Sequence, residues 1–137
     1  MSRRGVYRSV YSVLLDDPDF QRLTPRARHV LLTMRTSREI GIACIWLLDR
    51  TSLARRAGYA LAEVDEALTE LAPTPAPRHP WLYLQGDLAW LRNGLRHDPT
   101  ANLKNAHHRT HVLRAVAGLP ASPLVARFRQ YYALSAT

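Results

Sequence analysis

Three histidines crowd into residues 107–111, and by type and spacing they are the side chains best suited to chemistry. His107 and His111 are four apart, so on a helix they share a face in the geometry of a metal-binding pair. No carboxylate lies near them in sequence, and the only cysteine, Cys44, is distant. A structural zinc site is therefore not expected. Solvated imidazoles that contact phosphate, or gain positive charge as the pH falls, are the expectation. The remaining acids and nucleophiles show no catalytic pattern. There is no glycine-rich phosphate loop, nucleophile elbow or zinc-hydrolase motif. The largest group of acids, Glu63, Asp65, Glu66 and Glu70, gathers on one segment, without the interspersed bases of a general acid–base pair. The expectation is a protein that is not an enzyme and uses no cofactor and no metal.

The charge balance points elsewhere. The chain of 137 residues carries a formal charge of +8, almost wholly as arginine, with Lys104 the sole lysine. Such a balance favours an anionic partner: nucleic acid, anionic lipid or an acidic protein surface. Arginine suits bidentate contact with phosphate. Apolar residues make up 47% of the chain, enough for a core in one domain of ordinary size. A single cysteine allows no intramolecular disulfide. The apolar run at 40–48 is too short to span a bilayer. Arg3 and Arg4 are followed by no long apolar stretch, so a signal peptide is not expected and a cytoplasmic protein is.

The elements that must position these charges follow from capping and periodicity. Residues 6–15 read as a strand entering a helical turn. Asp17 and Pro18 open a short helix ending near Leu23. Thr24-Pro25 starts a longer one, with Ala27, Val30, Leu31 and Met34 at helical spacing over 25–36. Residues 41–46 read as a short strand. Asp49 or Thr51 caps a helix carrying Leu53, Ala54 and Ala57, which Gly58 stops in a left-handed conformation. Leu61, Val64, Ala67, Leu68 and Leu71 form the stripe of the next helix. Pro73, Pro75, Pro77 and Pro80 impose a loop. Apolar runs at 81–85 and 88–91 flank Gly86-Asp87, a two-residue hairpin turn. Residues 102–117 read as a helix stopped by Gly118, and Ser122-Pro123 opens a last one to about Leu134.

That order is the order of a winged helix-turn-helix, and the chain resembles the winged-helix domain of phage replication proteins, the replisome-organiser or replication-initiator type. The resemblance is carried by Tyr7-Arg8-Ser9-Val10-Tyr11, Asp17-Pro18-Asp19-Phe20 and Leu23-Thr24-Pro25-Arg26-Ala27-Arg28 near the start. Residues 62–71 (Ala-Glu-Val-Asp-Glu-Ala-Leu-Thr-Glu-Leu) resemble the family's third helix. Trp90-Leu91-Arg92-Asn93, Asn102 and Leu119-Pro120-Ala121-Ser122-Pro123-Leu124 resemble its close. The resemblance implies a replication-related DNA-binding role. Two departures stand out. The chain ends at Thr137, where full-length members continue into a helicase- or primosome-contacting domain. The loop at 73–80 is also longer and richer in proline than the family's connection.

The expected fold is mainly α with a small β-sheet: a winged helix-turn-helix with extra N- and C-terminal helices. A single domain over 1–137 divides into an N-terminal extension (1–23), a winged-helix core (24–92) and a C-terminal helical extension (93–137). The N-terminal exposed positions of the helix at 61–71 would face base edges in a DNA reader, yet they offer Ala62, Glu63, Asp65 and Glu66. Carboxylates repel phosphate, and acids also simply favour a helix N-terminus. The expected nucleic-acid-binding residues therefore lie elsewhere: Arg50, Arg55, Arg56, Tyr59, Arg78, Arg92, Arg96, Lys104, His108 and Arg109. They would position the protein on DNA without reading sequence, with Arg55 or Arg56 otherwise pairing Glu63 or Glu66. Trp46, Trp90 and Cys44 are expected in the core. One alternative is an adaptor that binds a replication, transcription or defence protein through Glu63, Asp65, Glu66 and Glu70. Another is a homodimeric transcriptional regulator, which would need half-sites about one helical turn apart.

Overall fold

A computed structural model describes residues 12–41, 43–92 and 105–132. Among these residues six α-helices and three strands follow one another: α1 (Pro18–Gln21), α2 (Pro25–Thr36), β1 (Ile45–Leu47), α3 (Arg50–Ala57), α4 (Leu61–Leu71), β2 (Leu82–Gln85), β3 (Leu88–Leu91), α5 (Ala106–Ala117) and α6 (Pro123–Tyr131). The fold is mainly α with a small antiparallel sheet, as the sequence predicts. Short polar side chains start the helices. Asp17, Thr24, Asp49, Asn105 and Ser122 each accept a hydrogen bond from a backbone N–H of the first turn. Ala60 has no side-chain oxygen, so α4 begins differently. Glu63 reaches back and accepts from the Ala60 N–H at 3.0 Å, the carboxylate half of a capping box. Gly58 ends α3 at φ 81°, the left-handed conformation expected of it. Gly86 takes φ 60° at the first turn position between β2 and β3, the hand that a tight hairpin favours.

The strands pair antiparallel in the spatial order β1-β3-β2. Ile45 lies opposite Trp90, and Trp90 opposite Tyr83, so β3 is the central strand. Its four residues Leu88, Ala89, Trp90 and Leu91 are all buried. Side chains alternate across a strand, so a run buried throughout must be covered on both faces. Two apolar clusters do this. Ala89 and Leu91 pack with Phe20, Val30, Met34, Leu53, Val64 and Leu68 of the α1–α4 layer. Leu88 and Trp90 pack with Val112, Val116, Leu124, Val125 and Phe128 of α5 and α6. The sheet is thus the middle layer of three. Trp46, Trp90 and Cys44 are buried as expected.

Two expectations require correction, the strand at 41–46 and the end of the first helix. The strand expected at 41–46 is found at Ile45–Leu47, because Gly41 (φ 69°) and Cys44 (φ 59°) both turn left-handed and break the extended run. The helical turn expected at the end of 6–15 is present as a 3-10 turn at Ser12–Asp16, and the strand expected before it, at 6–11, lies outside the described residues. The short helix α1 ends at Gln21 rather than near Leu23. Gly118 stops α5 directly after Ala117, as expected, at φ −77°, and Leu119-Pro120 follows, where the proline disfavours helical geometry in the residue before it. The start of the expected helix at 102–104 and its neighbours at 93–101 lie outside the described residues, as does the end of the last helix beyond Tyr132. Among the described residues no helix is long and apolar enough to cross a membrane.

Candidate nucleic-acid interface

The acidic face of α4 is occupied from within the molecule. Arg26 of α2 makes ion pairs with Glu63 at 3.4 Å and Glu66 at 3.2 Å. Asp65 accepts from Arg50 at 2.9 Å. Glu70 accepts two bonds from Thr24, one from its backbone N–H and one from its hydroxyl, both 2.8 Å. Thr24 in turn caps α2, so Glu70 ties the last turn of α4 to the first turn of α2. The four carboxylates expected to meet a protein partner are therefore cross-links between helices. The arginine that pairs Glu63 and Glu66 is Arg26, not Arg55 or Arg56.

Several residues expected to contact nucleic acid are likewise engaged. Arg50 opens α3 and reaches across to the hairpin turn. It donates to Asp65, to the Gly86 carbonyl at 3.2 Å and to Asp87 at 3.5 Å. Arg56 donates to the Ser37 hydroxyl and pairs with Glu39 at 3.2 Å, while Glu39 also accepts from Ser52. Tyr59 is half-buried, with its hydroxyl 3.1 Å from His29 Nδ1. Arg92 donates to the Pro80 carbonyl and to the Tyr131 hydroxyl, and the Tyr132 hydroxyl donates to the Arg92 carbonyl at 2.6 Å. Arg92 thus fastens α6 to the end of the hairpin. The hairpin tip is Gln85-Gly86-Asp87 and carries a carboxylate rather than a cation.

What remains open is distributed differently. Arg55, at the end of α3, and Arg78, in the proline loop, are exposed and have no ion-pair or hydrogen-bond partner among the described residues. Arg38 is in the same position, and no local pattern in the sequence singles it out. His108 and Arg109 sit half-buried on α5 and are engaged within the molecule. Arg96 and Lys104 lie outside the described residues. On α5, His107, His111 and Arg114 at i, i+4 and i+7 form one exposed stripe opposite buried Val112 and Val116. On α6, the Arg127 guanidinium lies 4.6 Å over the Tyr83 ring, which stacks on Trp90 at 4.7 Å. Arg129 is half-exposed beside it.

A count by segment explains the pattern. Residues 12–98 hold eleven acids and eleven arginines and are formally neutral. The whole excess comes from Arg3, Arg4 and Arg8 at one end and Lys104, Arg109, Arg114, Arg127 and Arg129 at the other. Residues 99–137 contain no carboxylate side chain at all. The sequence holds this signal, but only a segment-by-segment balance exposes it. In the α1–α4 layer Arg22, Arg26, Arg50 and Arg56 pair with acids while Arg38, Arg55 and Arg78 stay exposed, and the α5–α6 segment has no acids with which its cations could pair.

Among the described residues no three His, Cys, Asp or Glu side chains gather as metal ligands. Comparisons of the chain with protein-family models, with curated proteins and with solved structures found no match.

Proposed function

We propose that this protein is a winged-helix module that docks on nucleic acid, DNA foremost, through arginines that contact the phosphate backbone. The observation that carries the reading is the charge segregation: a neutral α1–α4 layer, and an acid-free α5–α6 layer whose cations face no carboxylate of their own segment. The winged-helix assignment is supported by the element order from α2 to β3 and the strand order β1-β3-β2. Docking is by charge and not by base readout. The N-terminal positions of α4 present Glu63, Asp65 and Glu66, which repel phosphate and are already bonded to arginine. A replication setting of phage or prophage origin, in a prokaryotic cytoplasm, is the context that the sequence resemblance suggests. The adaptor alternative loses its main support, because the carboxylates it needs are engaged within the chain.

Fluorescence anisotropy with labelled random duplex and single-stranded DNA, over a salt series from about 50 to 200 mM, tests the proposal. Binding is expected to weaken steeply with salt. Arg114→Ala is expected to lower the slope on duplex DNA by about 0.9 for each phosphate that Arg114 neutralises. No binding at the lowest salt overturns the proposal.

A further inference from the structure

We infer that His107 and His111 form a two-histidine chelate for a borderline divalent metal ion of the zinc, copper or nickel type. The inference is independent of nucleic-acid binding. The two Nε2 atoms lie 3.1 Å apart, with the ring planes at 90° and the ring centres 4.5 Å apart. With zinc–nitrogen bonds of about 2.0–2.1 Å, that separation corresponds to an angle of about 95–102° at the metal. The angle falls between the right angle of neighbouring octahedral positions and the tetrahedral value. One cation can therefore be reached by both Nε2 atoms at this separation, once each exposed ring turns its lone pair toward it.

The surroundings favour this use. Both rings are exposed, so metal and water reach them without any opening of the fold. The backbone beneath is held: Val112 and Val116 are 1% exposed and anchor α5, and Asn105 accepts from the His107 and His108 N–H groups at 2.9 and 3.3 Å. Only side-chain freedom is lost on binding, because the helix already sets the i, i+4 spacing. Imidazole suits zinc, copper and nickel and does not suit magnesium or calcium, which take oxygen ligands. With two positions filled by the protein, the others stay open to water or to an oxygen donor such as phosphate. That arrangement is a binding site with open coordination, distinct from the closed four-ligand site of a structural zinc.

Calorimetric titration of the full chain with zinc chloride near neutral pH tests the inference, with magnesium chloride as the hard-cation control. One zinc per chain is expected, with no heat from magnesium. His107→Ala and His111→Ala should each weaken zinc at least about tenfold, the loss seen when even an outer-sphere partner is removed. His29→Ala and His79→Ala should bind as the wild type does. Both ligands are exposed, so circular dichroism of the variants should be unchanged. Addition of copper should broaden the ring signals of His107 and His111 before those of the other histidines. Zinc uptake that survives both His107→Ala and His111→Ala, magnesium binding of equal strength, or no zinc uptake at millimolar metal overturns the inference.

Discussion

Arg50→Ala separates two roles that a basic residue can have, fastening the fold and meeting phosphate. Its guanidinium bridges three places: Asp65 on α4, and the Gly86 carbonyl and Asp87 at the hairpin tip. The side chain is 29% exposed, while Asp65 and Asp87 are 52% and 71% exposed. Solvent screening holds each of those two ion pairs to about 0.2–1 kcal/mol. The bond from a charged donor to a backbone carbonyl adds about 1 kcal/mol once the same exposure is allowed for. The loss on truncation is therefore about 1.5–3 kcal/mol. For a chain of this length the corresponding fall in Tm is about 3–5 °C per kcal/mol. Thermal and urea melts measure it, and a double-mutant cycle with Asp65→Ala should return a coupling of about 0.5–1 kcal/mol. The slope of DNA affinity against salt should be unchanged in Arg50→Ala, in contrast to Arg114→Ala. The reasoning fails if Arg50→Ala is as stable as the wild type and lowers the slope by about 0.9. That result means the guanidinium faces phosphate and its intramolecular bonds carry no energy.

Glu70→Ala removes the acceptor of both Thr24 donors and should cost about 1–2 kcal/mol in urea unfolding. Combined with Thr24→Ala, itself worth about 1 kcal/mol through removal of the cap, it should prove less than additive because the two share their bonds. Gly58→Ala places a side chain at φ 81° and should cost about 1–2 kcal/mol by the same assay, although nothing lies within 4 Å of the added carbon. Phe128→Ala empties a fully buried site against Trp90 and should cost about 3–5 kcal/mol. Hydrogen exchange should show the weakened protection concentrated in α5 and α6.

Local signals carried well into the structure, and distant ones did not. The bounds of α2 and α4, the caps at Asp17, Thr24 and Asp49 and the left-handed stop at Gly58 all depend on residues a few positions apart, so the sequence shows them directly. The hairpin turn at Gly86-Asp87 is legible for the same reason. The strand at 41–46 misled because a β-branched run does not reveal that Cys44 will take φ 59°. The partners of the site residues are hidden from the sequence for a different reason. Whether an arginine is available depends on which acid the fold brings to it. Arg26 meets Glu63 across 37 positions, and Arg92 meets Tyr131 across 39. No local pattern encodes such a pairing. The packing of both sheet faces was half-legible: Leu88-Ala89-Trp90-Leu91 is apolar throughout, which already implies cover on both sides.

Layer and charge coincide in this protein, and that coincidence constrains how a polyanion approaches. The sheet separates the α1–α4 layer, where the acids of α4 are bonded to Arg26, Arg50 and Thr24 while Arg38, Arg55 and Arg78 stay exposed, from the α5–α6 layer, which has no acids. Paired opposite charges cancel at a distance, and at about 0.15 M salt the field of an exposed charge fades over about 8 Å. A phosphate strand near α4 therefore feels little net pull, and on contact it meets Glu63, Asp65 and Glu66. A strand near α5 and α6 meets Arg114, Arg127 and Arg129 with no carboxylate of that segment to offset them. On the proposed reading, the docked face is the one furthest from the helix-turn-helix, and the hairpin tip, which carries Asp87, points no cation toward it. Charge reversal distinguishes the two faces. Arg114→Glu should abolish binding at salt where Glu66→Arg changes it little. If Glu66→Arg instead strengthens binding as much as Arg114→Glu weakens it, the strand lies against α4 and the docking surface has been placed on the wrong layer.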